Sequence, residues 1–144
     1  MAKNPPANMP RITPYLYYED VGSALTWLAR VFGFRERMRM QGPDGKVMHG
    51  EVELADGVVM MGHPGAGYRN PKRLGQATQN VYVYVDDVDA HYEQAKRAGA
   101  KVLTEPEDQF YGDRRYGVED PEGHHWFFAT HVRDVALEDM KPPA

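Results

Sequence analysis

Three acidic or basic side chains stand at alternate positions in one stretch of this sequence: His49, Glu51 and Glu53. In an extended strand they project from one face, since side chains alternate with a period of two. Such a comb suits a metal, a proton relay or a hydrogen-bonded strand face. His124 and His125 are adjacent, so a strand would send them to opposite faces. His125 then shares its face with Phe127 and Ala129, and His124 with Trp126 and Phe128. His63 follows an apolar run, His91 falls in a helical pattern, and His131 has no partner visible from spacing. Arg35, Arg37 and Arg39 alternate as a basic row, read as an outer face balanced by acids. Arg114 and Arg115 follow Tyr111-Gly112-Asp113, where one arginine can meet an anionic ligand group and the other Asp113 or a nearby carboxylate. Cysteine is absent, which removes thiolate chemistry, disulfides and Cys-ligated metals. No Ser-His-Asp or Cys-His set stands out, which counts against hydrolysis. Gly62 to Gly67 lacks the following helix and lysine of a phosphate loop.

Tyrosine supplies a second group. Thr13, Tyr15 and Tyr17 share one face of a strand-like run, and Asn80, Tyr82 and Tyr84 share the matching face of another. These runs belong to a repeat. Pro14 to Val21 reappears 67 residues later as Val81 to Val88, each copy reading as strand, acidic turn and helix. Rings with hydroxyl handles suit a flat organic ligand, and equally suit sheet packing.

The elements that must position these residues are legible. Residues 1–11 hold three prolines without a period and read as a flexible arm. The first module spans 12–62. Ile12 to Tyr18 is a strand. Asp20 caps a helix whose stripe is Val21, Ala24, Leu25, Leu28 and Phe32, and Gly33 ends it. Phe34 to Gln41, Val47 to Leu54 and Val58 to Gly62 follow as strands, separated by Gly42-Pro43-Asp44-Gly45 and by Asp56-Gly57. The glycine-rich stretch 63–79 reads as a linker. The second module, 80–130, repeats the plan: Asn80 to Val85, a helix capped by Asp87 and closed by Gly99, Lys101 to Glu105, a strand within Tyr111 to Glu119, a turn at Asp120-Pro121-Glu122-Gly123, and His124 to Thr130. Residues 131–144 form a polar tail with one short helical turn. Trp126 reads as core, and Trp27 sits beside the first helix's apolar stripe.

The class is α+β: two β-α-β-β-β modules in one compact domain. Curved mixed sheets are expected to surround a cleft, with helices outside. At 144 residues, such a chain buries about 70% of its unfolded surface. The net charge of -4 with interspersed signs does not suit nucleic acid, and no apolar run suits a membrane span. With no leader pattern, a cytoplasmic protein is expected.

The paired modules, Tyr111-Gly112-Asp113-Arg114 and Val118-Glu119-Asp120-Pro121-Glu122-Gly123-His124 together resemble the vicinal oxygen chelate superfamily of glyoxalases, bleomycin-resistance proteins and extradiol dioxygenases, from about Ile12 to Thr130. The resemblance implies four cleft ligand positions, falling at Thr13, Met60, Asn80 and Phe127. Hydroxyl, thioether, amide and phenyl are poor partners for a divalent cation, so no metal and no cofactor is expected. The resemblance then implies metal-free binding or sequestration of a small aromatic or hydrophobic compound, in the manner of bleomycin-resistance proteins, and a homodimer. The ligand-lining residues would be Thr13, Tyr15, Tyr17, Met60, Asn80, Tyr82, Tyr84, Arg114, His125 and Phe127. The alternative is a lyase or isomerase with acid–base candidates His125, Glu51 and His49. The sequence leaves both open.

Overall fold

The computed structural model describes residues 2–144. The order is β1 (Tyr15–Tyr17), α1 (Val21–Phe32), β2 (Arg35–Gln41), β3 (Val47–Leu54), β4 (Gly57–Gly62), α2 (Pro71–Leu74), β5 (Asn80–Tyr84), α3 (Val88–Arg97), β6 (Lys101–Asp108), β7 (Asp113–Glu119) and β8 (His125–His131). A 3₁₀ turn at Leu137–Asp139 lies in the tail. The chain divides into two compact units between Leu74 and Gly75. Among the described residues, no helix is long and apolar enough to cross a membrane.

The first unit has the sheet order β1-β4-β3-β2, with β1 parallel to β4 and the other pairs antiparallel. Its helix forms where the apolar stripe predicts. The Asp20 carboxylate accepts from the Ser23 amide at one end. Gly33 closes the other at φ 78°, where a side chain would be strained. Val21, Ala24, Leu25, Leu28, Val31 and Phe32 are buried. Each large apolar side chain so removed from water contributes about 1.5–3 kcal/mol. Gly50 lets α1 lie close to β3: a methyl there would come within 2.8 Å of Leu25 Cδ2. The helix therefore covers the face bearing Gly50 and Val52, and leaves the face bearing His49, Glu51 and Glu53 to other partners.

The second unit repeats this plan as β5-β8-β7-β6, with β5 parallel to β8. Asp87 caps α3 through the Ala90 amide. Tyr92 and Ala95 of that helix, with Tyr116, Val118, Trp126 and Phe128 of the sheet, form the buried core. The Asp120 carboxylate is 3% exposed and ties the β7–β8 turn together. It accepts from the amides of Glu122 and His124 and from the Trp126 indole, each at 3.0 Å.

Several details differ from the sequence expectation, beginning with a first strand that runs only from Tyr15 to Tyr17 and not from Ile12 to Tyr18. The stretch read as linker contains α2, a single turn whose Asn70 side chain accepts from the Arg73 amide. The strand expected to stop at Glu105 runs on to Asp108. The arginine row of β2 is also broken. A bulge between Glu36 and Met38 shifts the register, so Arg39 pairs with Gly50 on the helix side while Arg35 pairs with Glu53 on the other. The acids do balance the row. Arg35 meets Glu53, Arg37 meets Glu51 and Glu53, and Arg39 meets Glu36.

Candidate functional site

On the uncovered face of the first sheet, the His-x-Glu-x-Glu comb is joined to a tyrosine. Tyr15 Oη lies 3.0 Å from His49 Nδ1. His49 Nε2 lies 3.0 Å from Glu51 Oε2. The other Glu51 oxygen accepts from Arg37 Nε at 3.2 Å, and Arg37 Nη1 reaches Glu53 and the Asn8 carbonyl. Glu51 is buried, and its ion pair with Arg37 holds it as an acceptor. Tyr15 and Tyr17 are 46% and 51% exposed beside this chain, with Tyr68 edge-on to Tyr17. Burial, aided by Tyr17 and Glu51, raises the Tyr15 hydroxyl above the usual tyrosine range. A groove of about 600 Å³ borders the same face. The N-terminal arm and the sheet line it, with Pro6, Met9, Arg35, Arg37, Glu53 and Val58 among the lining residues.

The second sheet's uncovered face holds a different network. Tyr82 and Tyr84 donate to one oxygen of Asp113 at 2.7 and 2.8 Å. His131 Nδ1 lies 2.7 Å from the other oxygen, and its Nε2 lies 2.7 Å from Asp134. Tyr111 adds a hydroxyl 3.3 Å from that of Tyr82. Burial, then hydrogen bonds from Tyr111 and to Asp113, raises the Tyr82 hydroxyl well above the ordinary range. Burial alone would raise the Asp113 carboxyl, but hydrogen bonds from His131, Tyr82 and Tyr84 outweigh it and hold it low. Arg115 stacks over Phe127 at 4.8 Å. His125 faces Glu119 at 3.4 Å.

Two expectations are corrected here. His131, for which spacing showed no partner, is clamped between two carboxylates. Asp113 is 18 residues back, a pairing that no local motif announces, while Asp134 stands only three residues on, in the tail. Arg114 does not share the tyrosine face. Its cross-strand partner is Thr130, which bonds to the start of α3, and Arg114 pairs with Asp89 and Asp108. The arginine beside Phe127 on the tyrosine side is Arg115. Of the remaining candidates, Thr13 donates to the Pro10 carbonyl at 3.4 Å. Met60 pairs with Tyr15, Asn80 with His125, and Phe127 with Tyr82.

Hydrogen bonds to both carboxylates, Asp113 first, raise His131 above the ordinary histidine value. Its contribution to stability is therefore full below the unfolded pKa of about 6.5 and is lost as pH rises through the higher folded value. Thermal melting from about pH 6 to about pH 9 should show this decline, and His131→Gln should flatten it. An unchanged slope in the variant would remove the clamp from the pH response.

The strand order, the repeated registers and the closing turn match a known family. Residues 9–128 fit the family model described as Glyoxalase/Bleomycin resistance protein/Dioxygenase superfamily. The chain belongs to this superfamily. Similar members include an uncharacterized protein of Mycobacterium tuberculosis (strain H37Rv), 35% identical over 137 residues, covering 92% of this chain and 81% of that one. The crystal structure of TioX from Micromonospora sp. ML1 is 36% identical with a TM-score of 0.70, covering 85% of this chain and 99% of TioX. TnmS3, an antibiotic binding protein from Streptomyces sp. CB03234, shares the fold at 18% identity and a TM-score of 0.64, covering 83% and 93%.

Enzymes of the superfamily hold a divalent cation, and the corresponding residues here do not fit one. The register makes Met60 equivalent to Phe127, because Tyr15 pairs with the first and Tyr82 with the second. Thr13 and Asn80 stand two residues before those tyrosines. None of the four is an anionic oxygen or imidazole donor. Among the described residues, no three His, Cys, Asp or Glu side chains gather as a cation cage.

Proposed function

We propose that this superfamily member binds a small planar aromatic or hydrophobic compound without a metal ion. The observation that carries this is the pair of tyrosine rows on the uncovered sheet faces. Tyr15, Tyr17 and Tyr84 are among the most exposed large apolar side chains of their units, and each rests edge-on against a neighbouring ring. Tyr82 and Tyr84 are pinned by Asp113, and Tyr15 by His49. Rings already held in place lose little side-chain freedom on binding, which favours them as contact surface. Phe127 and Met60 add apolar area, and Arg115 and His125 add polar handles. TnmS3 illustrates that this fold can serve antibiotic binding. A homodimer belongs to the same reading, because each sheet has one face left uncovered by its helix.

The test is a titration with 4-nitroanisole, a planar aromatic without an ionisable group, followed by tryptophan and tyrosine fluorescence, first in a chelator and then, with the chelator removed, in the presence of added metal. The expected result is saturable binding that added zinc, nickel or manganese leaves unchanged. Sedimentation equilibrium on the same sample should give twice the chain mass. Affinity that appears only with added metal would overturn the metal-free reading.

A further inference from the structure

The two modules share a plan, but they treat their tyrosines differently. Pairing with Met60 and Phe127 makes Glu51 equivalent to Gly117, and pairing with Gly62 and Ala129 makes His49 equivalent to Arg115. Proton acceptors thus stand in one module where the other has an arginine and a glycine. In the second module, Tyr82 and Tyr84 donate to a carboxylate that His131 already neutralises. In the first, Tyr15 meets a histidine backed by a carboxylate.

The hydrogen positions of this chain follow from the partners. Glu51 is ionised against Arg37 and can only accept, so His49 Nε2 carries the hydrogen. In the neutral imidazole, His49 Nδ1 then presents a lone pair and Tyr15 donates to it. The Tyr15 oxygen keeps its own acceptor lone pairs, on a half-exposed ring. This arrangement needs Gly62. A methyl at that position would overlap the Tyr15 hydroxyl, so only glycine lets the ring cross β4 to reach His49.

We propose that Tyr15, His49 and Glu51 form an acid–base site that takes the proton from an acidic hydroxyl, phenolic or enolic, of the bound aromatic compound. This rests on the aromatic-binding reading above. In the step, the ligand O–H bond breaks and its proton passes to Tyr15 Oη, while the original Tyr15 proton passes to His49 Nδ1. The ligand keeps the electron pair as its oxyanion and accepts a hydrogen bond from the re-formed Tyr15 hydroxyl. His49 becomes an imidazolium that donates to both Tyr15 and Glu51. Tyr15 never carries a charge, which suits a hydroxyl whose burial disfavours its anion. The groups facing His49 are Tyr15 from β1, Glu51 on its own strand and, through Glu51, Arg37 from β2. Its strand neighbours Met40 and Gly62 bring no charge. Glu51 shares its negative charge between the Arg37 guanidinium on one oxygen and the imidazolium on the other.

The probe is 4-nitrophenol, whose phenolate absorbs visible light, mixed with saturating protein at one pH unit below its own pKa. Free probe there is about one-tenth ionised, and one unit corresponds to a tenfold ratio. Bound to the native protein it should be at least half ionised, about a tenfold shift in that ratio. Tyr15→Phe, His49→Gln and Gly62→Ala, each checked for fold by circular dichroism, should return the bound probe to the free ratio. His49→Gln is decisive, because glutamine accepts a hydrogen bond but takes no proton. Phenolate retained in that variant would assign the effect to nearby arginines and overturn the relay. If the native protein binds 4-nitroanisole but holds 4-nitrophenol neutral, the acid–base site fails and aromatic binding stands. If it binds neither probe, both fail.

Discussion

Asp120→Ala should cost the protein about 3–5 kcal/mol, because one carboxylate serves three donors in and beside the core. Its loss strands the Trp126 indole N–H, in a ring that is 0% exposed, and frees two turn amides. A buried donor left without an acceptor costs about 1–3 kcal/mol, and the turn amides recover part of theirs from water. Total stability of such domains is about 5–15 kcal/mol, so the variant should approach the limit of folding. Urea denaturation read at Trp126 measures this directly. A loss under about 1 kcal/mol would mean that the turn holds its shape without the carboxylate. Asp120→Asn should fall between, since an amide keeps one acceptor but turns a donor toward one of the same three groups. The closing motif Val118 to His124 thus serves the architecture, and the chemistry belongs elsewhere.

Tyr17→Ala and Tyr84→Ala should each weaken 4-nitroanisole binding about 10- to 100-fold, equivalent to about 1.4–2.8 kcal/mol. Aromatic anchors of an interface commonly carry losses of this size. Both rings are more than half exposed, so their removal leaves the core intact. Tyr84 also donates to Asp113, but Tyr82 and His131 still hold that carboxylate in its absence. The expected signature is therefore a large change in affinity with a small change in melting temperature. Unaltered affinity in both variants would move the binding surface off the tyrosine rows.

Much of this was legible in the sequence, and the exceptions have physical causes. The helices announced themselves because capping and the 3.6-residue stripe are local. Asp20, Leu25 and Gly33 speak for α1 without reference to anything distant. The His49–Glu51 comb was legible because two residues along a strand share a face. Its completion by Tyr15 was not, since it needs a residue 34 positions away and a glycine across the ladder. The bulge after Glu36 likewise carries no sequence signal, yet it sends Arg39 to the helix side. Asp113 is the clearest miss. The turn in which it sits suggested an arginine partner, whereas two tyrosines and a histidine claim it from β5 and β8. Strand alternation decided that choice: Asp113, 2% exposed, takes the donors on its own face, and Arg114 points to the other side.

The proposal as a whole stands on the tyrosine row of each module serving as contact surface for an aromatic compound with no ion present. Carbon-13 spectra of ring-labelled tyrosine, assigned by single Tyr→Phe replacements and recorded during a 4-nitroanisole titration in chelator, interrogate that contact residue by residue. Resonances of Tyr15, Tyr17, Tyr82 and Tyr84 should move and saturate, while those of Tyr92, on α3, and Tyr116, packed against it, stay still. Stationary signals from the four strand tyrosines under saturating compound would contradict it.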